Sequence, residues 1–125
     1  MIKGLGIDIV EIERIKKAID RHGQRFLDKL FTEKEQDYCL SHIHSAVRFA
    51  VRFAAKEAVA KALGTGFRGI GFKDIEVSND ATGKPSIVLS LKVEALYQSP
   101  QIVISLSHSK DYATACAIWL CADRN

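Results

Sequence analysis

Two carboxylates are notable for their surroundings. Asp8 lies in Ile2–Val10, which reads as a strand. Alternation there puts Lys3, Leu5, Ile7 and Ile9 on one face and Ile2, Gly4, Gly6, Asp8 and Val10 on the other. Asp8 is thus a lone carboxylate on a face that two glycines have cleared, and strand glycines mark close approach of a ligand or another backbone. Glu57 sits among alanines in AAKEAVAKA. An i,i+4 pair with Lys61 would be worth only about 0.2–0.5 kcal/mol. Small apolar neighbours instead point to partial burial, and a buried carboxylate needs a cation. A magnesium ion would meet that need if Asp8 converged on the same point, since Mg²⁺ takes one or two carboxylates together with waters and phosphates.

Other candidate chemistry is thinner. Gly4-Leu5-Gly6 lacks the third glycine of a dinucleotide fingerprint, and Gly64-Thr65-Gly66 lacks the Lys-Ser or Lys-Thr of a P-loop. The latter reads as a helix stop, with backbone N–H groups as the alternative use. His108 after IVISLS has no triad partner that spacing defines. Cys39, Cys116 and Cys121 form no CxxC pair, so they read as buried free thiols of a reducing compartment.

These groups need elements to hold them. Glu11 to His22 reads as a helix with Ile12, Ile15 and Ile19 inward, and Arg14, Lys17, Arg21 and, past a break at Gly23, Arg25 on another face. Thr32-x-x-Glu35 matches a capping box for a helix from Glu33 to about His42. The longest helix runs from about Ala46 to Leu63 and contains the repeat VRFA-VRFA, which aligns Arg48, Arg52 and Lys56 in a basic row. Its seven alanines from Ala46 to Ala62 make it slim. Phe72 to Ser78 and Ser86 to Leu91 read as a hairpin around NDATGKP, followed by a helical turn over Lys92 to Ser99. Gln101 to Ser107 and Ala113 to Cys121 read as a second strand pair. The expectation is a single α+β domain, residues 1–125, with an antiparallel sheet packed on a long central helix.

Composition narrows the classes. The chain has 125 residues, 47% hydrophobic and 26% charged, which is a globular balance. No apolar run approaches a membrane span, and the first residues do not read as a signal peptide, so the expected setting is the cytoplasm. A net charge of +3 does not by itself imply nucleic acid.

G-L-G-I-D-I-V-E-I-x-R-I from Gly4 and R-F-A-A-K-E-A-V-A-K-A-L-G-T-G from Arg52 resemble the two signatures of the holo-acyl-carrier-protein synthases. F-K-D-I-E-V, G-K-P and V-I-S-L-S-H-S-K-D-Y-A come after them in the same order as in that family. The resemblance implies a phosphopantetheinyl transferase for fatty acid biosynthesis. Such an enzyme moves phosphopantetheine from coenzyme A to a serine of apo acyl carrier protein, releases adenosine 3′,5′-bisphosphate and needs Mg²⁺. It implies Asp8 and Glu57 as metal ligands, and Arg52, Lys61, Gly64, Lys84, Pro85 and His108 along the coenzyme A site. It also implies a homotrimer with sites between subunits. Glu57 is the first choice for the base that accepts the serine proton, Asp8 the second, and Lys61 could share the charge of the leaving phosphate. Arg14, Lys17, Arg21 and Arg25 would meet an acidic carrier, or else form an ordinary solvated face. The competing readings are a transferase for a different carrier, a basic RNA-binding module and a purely structural oligomer.

Overall fold

The computed structural model describes residues 1–121. The order is β1 (Ile2–Glu11), α1 (Ile12–His22), α2 (Gln24–Leu30), α3 (Glu33–Leu40), α4 (Ser45–Leu63), a short 3₁₀ turn (Phe72–Asp74), β2 (Ile75–Asn79), β3 (Pro85–Leu89), α5 (Leu91–Leu96), β4 (Gln101–His108) and β5 (Tyr112–Leu120). The α+β architecture around a long helix is as expected, but the strands form two antiparallel sheets. One has the order β1-β5-β4 and the other is the β2-β3 hairpin. Helix α4 is the hub. Phe49, Ala50, Ala54, Ala55, Ala58 and Val59 are all within 1% of complete burial.

Several boundaries differ for local reasons. The helix over Gln24–Leu30 has no counterpart in the sequence pattern. Gly23, at φ 56°, turns the chain there, and its carbonyl accepts from Phe26 and Leu27 to start a new helix. Phe72–Asp74 is a 3₁₀ turn, with Asp74 accepting the Gly71 N–H at 2.7 Å, so the strand begins at Ile75. The partner strand ends at Leu89 because the Ser90 hydroxyl accepts the Val93 N–H and caps α5. That helix stops at Leu96, before Gln98 and Ser99 at φ 57° and 53°. Thr32 and Glu35 form the expected capping box.

The glycine face of β1 is the one that packs inward. A Cβ at Gly6 would overlap the Ala58 carbonyl, and one at Gly4 the Ala62 carbonyl. The second backbone that strand glycines anticipate is therefore α4. The strand lies on the alanine surface with no side chain between. The apolar face of β1 points out: Leu5, Ile7 and Ile9 are 63%, 66% and 65% exposed. Only Cys39 of the three thiols is buried; Cys116 and Cys121 are partly exposed, so the expectation of three buried thiols is corrected. Burial pushes the Cys39 thiol up to about 12, which makes it inert.

Gly6→Ala is expected to destabilise the chain by about 1–3 kcal/mol or more, because the added methyl meets backbone that cannot rotate away. Urea unfolding of the variant against wild type measures this.

Candidate active site

β1 carries Asp8 one alternation beyond Gly6, at the edge of the strand–helix contact. Helix α4 presents Glu57 and Lys61 one turn apart on the same side. The Lys61 Nζ donates to Asp8 Oδ1 at 3.2 Å and to the Ile7 carbonyl at 3.0 Å. Lys61 therefore pairs with Asp8 across the two elements, in place of the intrahelical pair with Glu57. Thr114 on β5 steadies the strand by donating to the Asp8 carbonyl at 2.8 Å.

Burial holds the Glu57 carboxyl above the usual carboxylate range, and the negative charge of Asp8 adds to the effect. Lys61 and Arg14 oppose it. Lys61 thus meets Asp8, and Glu57 lies within the charge range of both. Among the described residues, no group of three or more Asp, Glu, His or Cys could hold a metal. A two-carboxylate site suits a hard cation that keeps waters and takes phosphate oxygens, and a cation there would relieve the repulsion felt by Glu57.

The other expected residues lie elsewhere. Gly64 adopts φ 86° as the α4 C-cap and its N–H bonds the Lys61 carbonyl, while the Gly66 N–H bonds Ala60. The GTG segment is thus a helix stop beside Lys61. Arg52, Pro85 and His108 line a cavity of about 220 Å³ between α4, the β2–β3 turn and the end of β4, together with Tyr38, Arg48 and Asn79. The Arg52 Nη2 donates to Asn79 Oδ1 at 2.5 Å and its guanidinium lies over the Tyr38 ring. Asn79 also donates to the Gly83 carbonyl at 3.0 Å. The Asp80 carboxylate shapes the turn by accepting from the Thr82 hydroxyl and N–H and from the Lys84 N–H. The Lys84 side chain is exposed on that turn, next to Pro85.

Arg52 and Lys61 are nine residues apart, so about 100° per residue puts them on opposite sides of α4. Arg52 and Glu57 are about 140° apart by the same count. One chain therefore carries two residue clusters that face away from each other: Asp8–Glu57–Lys61 on one side, Arg52–Pro85–His108 on the other.

Arg14, Lys17 and Arg21 line one shallow groove on α1, and Arg14 is near enough to Glu57 to act on its titration. Arg25 lies past Gly23 on α2 and lines a separate groove with His22, Phe26 and Lys29. Arg48, Tyr38 and Asn79 join the cavity without having been marked as site residues by the sequence. Arg48 was visible in the VRFA repeat, whereas Tyr38 and Asn79 reach the cavity only through the tertiary fold.

Residues 4–117 match the family model for the 4′-phosphopantetheinyl transferase superfamily, and the chain belongs to that family. A relative from Protochlamydia amoebophila named holo-[acyl-carrier-protein] synthase is 53% identical, over 95% of this chain and 98% of its own. The crystal structure of the holo-[acyl-carrier-protein] synthase of Neisseria meningitidis superposes with TM-score 0.90 at 33% identity, covering 97% of this chain and 100% of that one. The Helicobacter pylori holo-[acyl-carrier-protein] synthase, solved in complex with coenzyme A, gives 0.86 at 32% identity, covering 93% and 99%.

Carboxyl titration by NMR in the metal-free protein is expected to place Glu57 above an ordinary glutamate. Asp8→Asn should lower that value, by removing a negative charge, and Lys61→Ala should raise it.

Proposed function

We propose that this protein is a holo-acyl-carrier-protein synthase. It transfers phosphopantetheine from coenzyme A to a serine hydroxyl of apo acyl carrier protein, releasing adenosine 3′,5′-bisphosphate, and so serves fatty acid biosynthesis in the cytoplasm. Among the described residues, no helix is long and apolar enough to cross a membrane. The observation that carries the reading is the convergence of Asp8, Glu57 and Lys61 within a chain of this family.

Asp8 and Glu57 would hold Mg²⁺, which when bound supplies charge neutralisation at the pyrophosphate oxygens. The chain's own groups do the rest. The serine oxygen attacks the phosphorus that bears the pantetheine, and the bond from that phosphorus to the bridging oxygen of the pyrophosphate breaks. Adenosine 3′,5′-bisphosphate leaves with the electron pair. The serine proton passes to the Glu57 carboxylate, which lies beside Lys61 at the joint of β1 and α4. Lys61, held at Asp8, puts a positive charge where the leaving phosphate gains negative charge. Arg14 of the Arg14–Lys17–Arg21 groove lies within charge range of Glu57, so an acidic carrier seated there would bring its serine toward the base.

The assembly we propose is a homotrimer with shared sites. Two features support it. The two clusters on α4 face opposite ways, an arrangement that suits one coenzyme A held between clusters of two different protomers. In addition, Leu5, Ile7 and Ile9 share the outer sheet face with Val103 and Ile118, an apolar surface that a neighbouring subunit would cover. Clusters on opposite sides suit a closed ring of head-to-tail contacts.

Intact mass of an apo acyl carrier protein, after incubation with the protein, coenzyme A and Mg²⁺, tests the activity. The expected result is a gain of one phosphopantetheine, lost with EDTA and in Asp8→Ala. Arg14→Glu with Arg21→Glu should slow the gain at low carrier concentration and recover at high. No gain on several carriers would sink the reading. For the shared site, Glu57→Gln and Arg52→Ala are expected to be inactive alone and to regain activity when co-refolded. Failure of the mixture to exceed either variant would overturn it.

A further inference from the structure

Among the described residues the structure holds two lysine–carboxylate pairs, and they are built differently. Lys56 and Glu35 meet at 2.7 Å with both side chains fully buried. Lys61 and Asp8 meet at 3.2 Å, beyond the roughly 2.7–2.9 Å of a strong charge-assisted bond. The Asp8 side chain is 16% exposed, whereas that of Lys61 is 53% exposed. The carboxylate is thus the sheltered member and needs a cation beside it. The ammonium is the solvated member and leaves at little cost, because exposed ion pairs contribute little.

Lys61 also has a second acceptor. Its Nζ donates to the Ile7 carbonyl at 3.0 Å, the shorter of its two bonds. That carbonyl lies on β1, the edge strand of its sheet, and it stays an acceptor whatever charge comes near. An ammonium has three donors on a flexible stem, so Lys61 can give up Asp8 and still be held at Ile7. Charge balance points the same way. Lys61 and Arg14 both act on Glu57 and oppose the negative charge of Asp8. A divalent cation added to that set would be uncompensated unless an anion came with it. A pyrophosphate diester, with one negative charge on each phosphate, restores the balance.

We propose that Lys61 is a displaceable internal counter-ion of Asp8. It yields the carboxylate to a divalent cation, pivots on its Ile7 bond, and turns the freed N–H groups to the pyrophosphate of the donor. The proposal rests on the reading of Asp8 and Glu57 as Mg²⁺ ligands in a phosphopantetheinyl transferase. It makes Lys61 a competitor of the cation before the donor arrives and a partner of the donor afterwards. Mg²⁺ and coenzyme A therefore favour each other's binding through this side chain.

The test is calorimetry of Mg²⁺ binding to the full-length protein without coenzyme A, on wild type, Lys61→Met and Lys61→Arg, with Asp8→Asn as the control for the site. Lys61→Met should bind Mg²⁺ roughly three- to tenfold more tightly than wild type, the scale of removing one exposed like charge a few ångströms away. Lys61→Arg, which grips a carboxylate with two prongs, should bind it no more tightly than wild type. Saturating coenzyme A should erase the advantage of Lys61→Met. In wild type, the NMR signal of the Lys61 ε-methylene should shift through the Mg²⁺ titration with the calorimetric midpoint. Equal or weaker binding by Lys61→Met, or a Lys61 signal that ignores Mg²⁺, would overturn the proposal and leave the metal reading intact. An advantage that persists with coenzyme A bound would overturn the turn toward the pyrophosphate. Mg²⁺ binding that Asp8→Asn does not weaken would remove the metal reading and the proposal with it.

Discussion

One ion pair sets the frame. Lys56 and Glu35 are 0% and 1% exposed and meet at 2.7 Å in the middle of the molecule. Two charges removed from water are costly, and the cost is offset only when every remaining valence is satisfied. Here it is. Lys56 donates to Glu35 and to the Phe72 and Ile75 carbonyls, at 2.7, 2.9 and 2.6 Å. Glu35 accepts from the Thr32 and Val77 N–H groups, each at 2.9 Å. Burial pulls the Lys56 pKa down, and the Glu35 charge opposes that pull. Helices α3 and α4 and the start of the β2–β3 hairpin are thereby tied at one point by directional bonds. Apolar contacts allow sliding; this one does not. The hairpin carries Asn79 and Pro85 to the cavity and α4 carries Arg52 there, so their spacing is set by this node.

On the other side of α4 the principle is different. Missing bulk, rather than a polar bond, sets the approach of β1. Glycine on alanine lets backbone meet backbone, and the closeness itself brings Asp8 to Lys61 and into the field of Glu57. Bulk is removed at Gly4 and Gly6 so that charge can converge one alternation later. The two halves of the site therefore rest on two kinds of contact, a saturated buried ion pair and a stripped-down packing surface.

These arrangements were unequally legible in the sequence. Strand alternation and helical spacing disclosed β1, the α1 core face, the α3 capping box and α4, because those signals are local. That Asp8 and Glu57 would share one neighbourhood was suggested by burial cost and by the family signatures, not by any spacing between them. Which face of β1 turns inward was not, since alternation marks two faces and cannot say which is wet. Glu35 was recognisable as a cap member, but its bond to Lys56 joins residues 21 apart and leaves no periodic trace. Lys56 itself read as one member of a basic row on α4, whereas it is the one buried in an ion pair. Helix α2 was hidden because Gly23 reads as a break, and here the same glycine also opens the next helix. The Arg52 cavity drew Tyr38 and Asn79 from separate elements, which only the tertiary fold brings together.

The β1–α4 contact has a further consequence, for disorder rather than for charge. Alanine and glycine have no side-chain rotamers to freeze, so this surface forms without the side-chain entropy loss that a leucine-filled interface would exact. Nor can it relax afterwards by hopping between rotamers. The joint that holds Asp8 against α4 is therefore stiff by construction: side-chain motion is excluded there because there are almost no side chains to move.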